Sequence, residues 1–149
     1  MRVAITLDDE LKELINGALM AGAPMIVASV DTEGRPRLSF RGSLAAFGDD
    51  QVGFWIRNPE GSTLANIAAN PHVAMMYRNP QTRVMMQLAG RARVAEGDDR
   101  DRVYDNAPEF ERNADPERKG VGVIIDLDRA EGFLGMTPDG QRRLFRMER

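Results

Sequence analysis

Residues 54–79 read FWIRNPEGSTLANIAANPHVAMMYRN, and they pass from a strand through a Pro-Gly turn into a short helix and back into a strand. Phe54, Trp55 and Ile56 form the apolar end of one strand. Pro59 and Gly61 break it, and STLANIAAN has helical spacing that Asn70-Pro71 stops. HVAMMYR then alternates as a strand up to the turn NPQT. An arginine and two hydroxyls, Arg57, Ser62 and Thr63, therefore stand where a strand hands over to a helix. Unpaired backbone N–H groups and the positive end of the helix dipole favour an anion at such a point. Ser62 can equally serve as a plain helix N-cap.

Working outward, TLDDELKELINGAL carries Thr6 as an N-cap, an acidic first turn, and a stripe of Leu7, Leu11, Leu14, Ile15, Ala18 and Leu19. The segment 25–57 reads as a β-meander with strands at 25–31, 35–47 and 52–57 and turns at TEGR and GDDQ. Downstream, 83–96 is a long strand and 97–120 a polar, acid-rich helical excursion broken by prolines, read as solvated faces without a site. VGVIIDLDRAEGFLG is the last strong strand, and MTPDGQRRLFRMER is either a final hairpin arm or a loose basic end. Six or so strands with a few helices predict a mainly β chain, an antiparallel barrel with peripheral helices.

In RLSFRGSLAAF, Leu38, Phe40, Leu44 and Ala46 alternate with Arg37, Ser39, Arg41 and Ser43, and the second set forms an anion-binding row. Whether Arg57 joins it depends on hairpin register. A two-residue loop at Asp49-Asp50 sets Trp55 and Arg57 beside Leu44, whereas a three-residue loop through Gln51 pairs apolar with apolar, and the latter is expected.

Composition narrows the function. The 149 residues fit one domain spanning 1–149. There are no cysteines, which excludes disulfides and thiolate zinc sites and fits a reducing cytoplasm. No secretory leader or apolar run of membrane length is seen, so a soluble, cytoplasmic protein without membrane partners is expected. A net charge of −3 with interspersed signs argues against nucleic acid. Of 20 basic residues only Lys12 and Lys119 are lysine, and arginine suits bidentate anion binding. His72, the sole histidine, has no carboxylate at ligand spacing, so neither a metal site nor a triad is expected. The methionines of AMMY and VMMQ read as core or interface packing.

In their order, PMIVASVDTEGRPRLSF, VGFWIRN, GSTLANIAANPHVAMMY and VMMQLAGRARV resemble the pyridoxamine 5'-phosphate oxidase-like, FMN-binding split-barrel family over about residues 20–130. The resemblance implies a six-stranded antiparallel split β-barrel and a homodimer with two FMN sites at the subunit interface. Arg37 matches a family arginine that contacts the flavin phosphate. A second basic position falls nearest Arg41, although strict spacing lands on Gly42. The family's basic pair at the short helix falls on Ser62 and Thr63, a departure that removes charge unless Arg41 or Arg57 compensates. Trp55 and Ile56 match positions lining the flavin. A flavin-contacting glutamine has its nearest counterpart in Gln87, with Met85 at the direct spacing. The arginine- and histidine-rich substrate motif of the true oxidase is not seen, so pyridoxamine phosphate oxidation is not expected. What remains is an FMN-dependent oxidoreductase acting on a small-molecule redox substrate. A deazaflavin-dependent reductase, a non-catalytic flavin- or haem-binding protein and a dimer with an empty site are the alternatives.

Overall fold

The computed structural model describes residues 3–149, which form eight strands and four helices. In chain order they are α1 (Asp9–Asn16), β1 (Met25–Val30), β2 (Pro36–Arg41), β3 (Ala45–Gly48), β4 (Gln51–Ile56), α2 (Ser62–Ala69), β5 (His72–Asn79), β6 (Val84–Val94), α3 (Asp98–Asn106), α4 (Glu109–Asn113), β7 (Val121–Met136) and β8 (Arg142–Glu148). All ladders are antiparallel, in the order β2-β1-β5-β6-β7-β4-β3, with β8 added to β7. The two ends of that order, β2 and β3, are joined through residues 42–44 and share no ladder. The sheet therefore curls back on itself and stays open at one seam, the split-barrel architecture expected. Among the described residues no helix is long and apolar enough to cross a membrane.

The strand count exceeds six for two reasons. The strand expected over 35–47 is divided, because the Leu44 N–H turns back to donate to the Arg41 carbonyl. The C-terminal stretch takes the hairpin alternative: Phe145 and Met147 pack against the core while Leu144 faces out. Helix α1 is capped by Asp8, whose side chain accepts from the Leu11 N–H, and not by Thr6.

The register question resolves in an unexpected way. Gly48 pairs with Gln51, so the loop is the two-residue Asp49-Asp50 and not the three-residue one. An irregularity between Ala46 and Gly48 then shifts the ladder to Ala46–Val52 and Ala45–Gly53. A bulge inserts one residue and reverses facing. Leu44 and Phe54 consequently share the main core, the outcome for which the longer loop was expected.

Strand β4 is buried on both faces. Val52, Phe54 and Ile56 enter the barrel core with Val123 and Ile125, whereas Trp55 faces a second cluster of Phe47, Ala95, Val103, Tyr104 and Ile124 beneath α3. The excursion at 97–120 thus covers the sheet, and only its outer side is solvated.

Candidate functional site

Arg41 ends β2 at the open seam, and its side chain is held there by two contacts. Its Nη2 donates to Thr63 Oγ1 at 2.7 Å, and its guanidinium carbon lies 5.3 Å from the centre of the Phe54 ring. Its Nε is buried without a hydrogen-bond partner. Burial lowers the pKa of Arg41, the neighbouring charge of Arg57 lowers it further, and Glu111 on α4 opposes both. An arginine still keeps its proton under such pressure. The result is a desolvated cation with an unspent donor.

Around it Arg41, Ile56, Arg57, Asn58, Gly61, Ser62, Thr63 and Ala114 line a hollow of about 570 Å³. Helix α2 opens directly onto this hollow. Its N-cap is Gly61, with no side-chain cap hydrogen bond, so Ser62 is the first helical residue and not the cap. The backbone donors of the first turn thus remain available to a ligand, and the positive end of the helix adds to the two arginines. A smaller hollow of about 250 Å³ shares Arg41 and Arg57 with it and is bounded by Phe40, Gly42, Ser43 and Glu111 among others.

Glu111 also accounts for the glycine where a basic residue would stand. A Cβ at Gly42 would lie 2.7 Å from Glu111 Oε1. A larger residue there would need the Glu111 side chain to swing aside, and as the chain stands the positive charge of the seam comes from Arg41 and Arg57.

The remaining expected residues are distributed elsewhere. Ser39 shares the inward-facing row with Arg41, pairing with Val27, but does not line the hollow. Arg37 pairs with Ser29 and is exposed, four residues up the strand, about 13 Å away at the rise of a β-strand. The anion row is therefore a row by facing only, and its lower end alone meets α2. The Trp55 indole is committed to the second core, where it meets Tyr104 edge-on at 5.1 Å and donates through Nε1 to Asp115 at 2.8 Å. The Trp55 backbone is closed as well, because Ser43 Oγ accepts from its N–H at 2.9 Å and donates to its carbonyl. Gln87 is exposed and pairs with Met76, on the sheet face opposite to Arg41. Its row flanks an apolar hollow of about 410 Å³ walled by Ile26, Ala28, Leu38, Ala74, Met76 and Ala89.

Sequence reasoning missed Asn58, Glu111 and Ala114. Asn58 stood inside the decisive stretch, and its turn position was a usable signal. Glu111 lay within a charge run that has the pattern of a solvated face, and only the fold of the excursion brings it to Arg41. Asp115 organises that fold. Burial pushes its carboxyl up, but Trp55 Nε1–H, the N–H groups of Lys119 and Gly120, and the charge of Arg100 together hold it below the usual carboxylate range. Among the described residues no group of three or more His, Asp or Glu is placed to hold a metal ion.

A family model described as pyridoxamine 5'-phosphate oxidase matches residues 7–126, from the start of α1 through most of the barrel. The chain belongs to this family. Comparison with curated proteins gives no match. Among solved structures the chain is similar to HupZ of group A Streptococcus, at 24% identity and a TM-score of 0.65 over 91% of this chain and 97% of that one. It is also similar to a haem-binding protein of Mycobacterium smegmatis, at 16% identity and a TM-score of 0.67 over 95% of this chain and 58% of the other. A pyridoxamine 5'-phosphate oxidase-related, FMN-binding protein of Nostoc punctiforme matches at 12% identity and a TM-score of 0.64, over 93% of each chain. At these identities the likeness establishes the fold shared with the family, and the ligand has to be argued from this chain's own residues.

Proposed function

We propose that the chain is an FMN-dependent oxidoreductase of the pyridoxamine 5'-phosphate oxidase-like class. The observation that carries this reading is Arg41: a half-buried guanidinium with a buried, orphaned Nε, tethered to Thr63 and backed by Arg57, at the uncapped start of α2. A buried polar group without a partner is costly, and a phosphate offers the acceptors this one lacks. The residues therefore fit the phosphate of a flavin mononucleotide. Arg41, Arg57, Ser62, Thr63 and the first N–H groups of α2 would hold it, which answers the loss of the family's basic pair. Bound flavin would supply hydride chemistry; the protein contributes binding, orientation and exclusion of water.

In the same reading the protein works as a homodimer. Gln87 and Arg41 lie on opposite faces of the sheet, so one chain cannot offer both to one ligand. A second copy packed on the outer apolar face would bring the two rows together. A small-molecule redox substrate and a cytoplasmic setting belong to this proposal too. A deazaflavin cofactor also carries a phosphate, and it remains the alternative occupant.

The test is a fluorescence titration of apo protein with FMN and, separately, with the deazaflavin cofactor. Saturable FMN binding is expected, with Arg41→Gln weakening it by about 10- to 150-fold, the equivalent of about 1.5–3 kcal/mol for one charge-assisted contact. Preference for the deazaflavin would replace the cofactor in this reading, and binding of neither would end it.

A further inference from the structure

Most arginines of the described chain are answered by a carboxylate: Arg91 by Asp128, Arg93 by Asp126, Arg118 by Asp101 and Asp105, and Arg143 by Glu10. Arg78, Arg83 and Arg142 are not, and all three line one hollow of about 320 Å³ at the β5–β6 turn. Arg78 pairs across the sheet with Met85, and Met85 with Phe133, so this row belongs to the outward face. Arg142, the first residue of β8, places its guanidinium carbon 4.9 Å from the centre of the Phe133 ring. Phe133, Met136, Pro80 and Val84 supply apolar wall. Three like charges converge here with no acid among the described residues to offset them.

The backbone carries a second sign. Arg83 has φ +57°, in the left-handed region that side chains other than glycine and asparagine rarely adopt. It closes the turn that follows Asn79, whose Oδ1 accepts from the Gln81 N–H. Glycine would hold that corner without strain. Arg118 shares this conformation within its own ion pairs, whereas Arg83 lines a hollow with two further arginines and no acid, the setting in which such strain accompanies ligand sites.

We propose that this hollow is a second ligand site, independent of the Arg41 seat, and that it takes a small organic oxyanion: a phosphate or carboxylate attached to an apolar or aromatic portion. The arginines receive the anion and Phe133 and Met136 the apolar part. Its volume is at the small end for ligand pockets, which suits a compact metabolite. The Arg41 seat uses the inward row at the barrel seam, whereas this site uses the outward row, so occupation of one leaves the other's residues untouched.

Calorimetric titration of the whole protein at low ionic strength tests it, with phenyl phosphate, benzoate and inorganic phosphate as probes. Phenyl phosphate or benzoate is expected to saturate at one site per chain and to bind at least tenfold more tightly than inorganic phosphate. Arg78→Gln combined with Arg142→Gln should weaken that binding at least tenfold, while Arg41→Gln leaves it unchanged. Arg83→Gly offers the decisive signature, since it should lose probe affinity and raise the melting temperature together. The proposal is overturned if neither organic probe binds saturably, if Arg41→Gln abolishes the binding, or if Arg83→Gly binds the probe like the parent protein.

Discussion

Arg41 carries opposing influences that can be separated by substitution. Burial and Arg57 both press against its charge, and Glu111 relieves them from the opposite side. Glu111 is half-buried, and its repulsion of a bound phosphate amounts to at least about 1 kcal/mol, the value for unit charges at contact distance fully screened by water. Glu111→Gln should therefore tighten FMN binding roughly fivefold, and a dissociation constant from flavin fluorescence would read it. An unchanged constant would mean that α4 stands off the seat in solution. The strand-to-helix handover made Arg57, Ser62 and Thr63 legible in the sequence, and alternation made Arg41 legible. Alternation also nominated Arg37 and Ser39, because facing is periodic along a strand while distance from a fixed helix is not. The Trp55 ring takes the core position instead, since a strand covered on both faces leaves no free side for it.

At the scale of elements, the excursion between β6 and β7 is the part that composition concealed. Its arginines and aspartates do pair, as at Arg102–Asp99 and Arg118–Asp105, and the solvated-face reading holds for them. Yet Val103 and Tyr104 are buried, and the Tyr104 hydroxyl donates to the Arg112 and Asp115 carbonyls, tying α3 to the loop after α4. Asp115 fastens that loop to Trp55, and Gly120 permits the closure, since a Cβ there would lie 2.2 Å from the Ile56 carbonyl oxygen. Replacing the carboxylate removes charge-assisted bonds at a residue only 8% exposed. Asp115→Asn should cost about 1.5–3 kcal/mol near neutral pH, measured by denaturant unfolding. The depressed acid also sets a pH dependence. Its contribution is complete above the unfolded carboxylate value of about 3.9 and is lost as pH falls through the lower folded value. The parent protein should therefore lose stability in acid more steeply than Asp115→Asn, and parallel curves would show that the carboxyl is not charged when folded.

The whole molecule presents two unlike faces of one curled sheet. Inward, Val27, Met75, Met86, Leu88 and Ala130 are buried with little or no exposure, and the single open seam carries Arg41. Outward, Leu38 is 75% exposed, Phe40 68% and Met76 38%, in register with Ile26 and Ala28 on the intervening strand. Contiguous apolar surface of this kind on a sheet is a marker of association, and leaving it in water costs about 25 cal/mol for each Å². The alternation of Leu38 and Phe40 was readable in the sequence. Their side was not, because the division at Gly42 sends Leu44 inward while Leu38 and Phe40 point out. If this face joins two copies, a charge at its centre should separate them without disturbing the barrel core. Leu38→Asp combined with Phe40→Asp is expected to sediment as a monomer where the parent sediments as a dimer. Flavin binding adds the sharper reading. Leu38 and Phe40 do not line the hollow beside Ser62 and Thr63, so retention of parental FMN affinity by the monomer would show that one chain makes the whole site. Loss of affinity together with the dimer would instead mean that each site needs residues from both faces, the inward row of one copy and the outward row of the other.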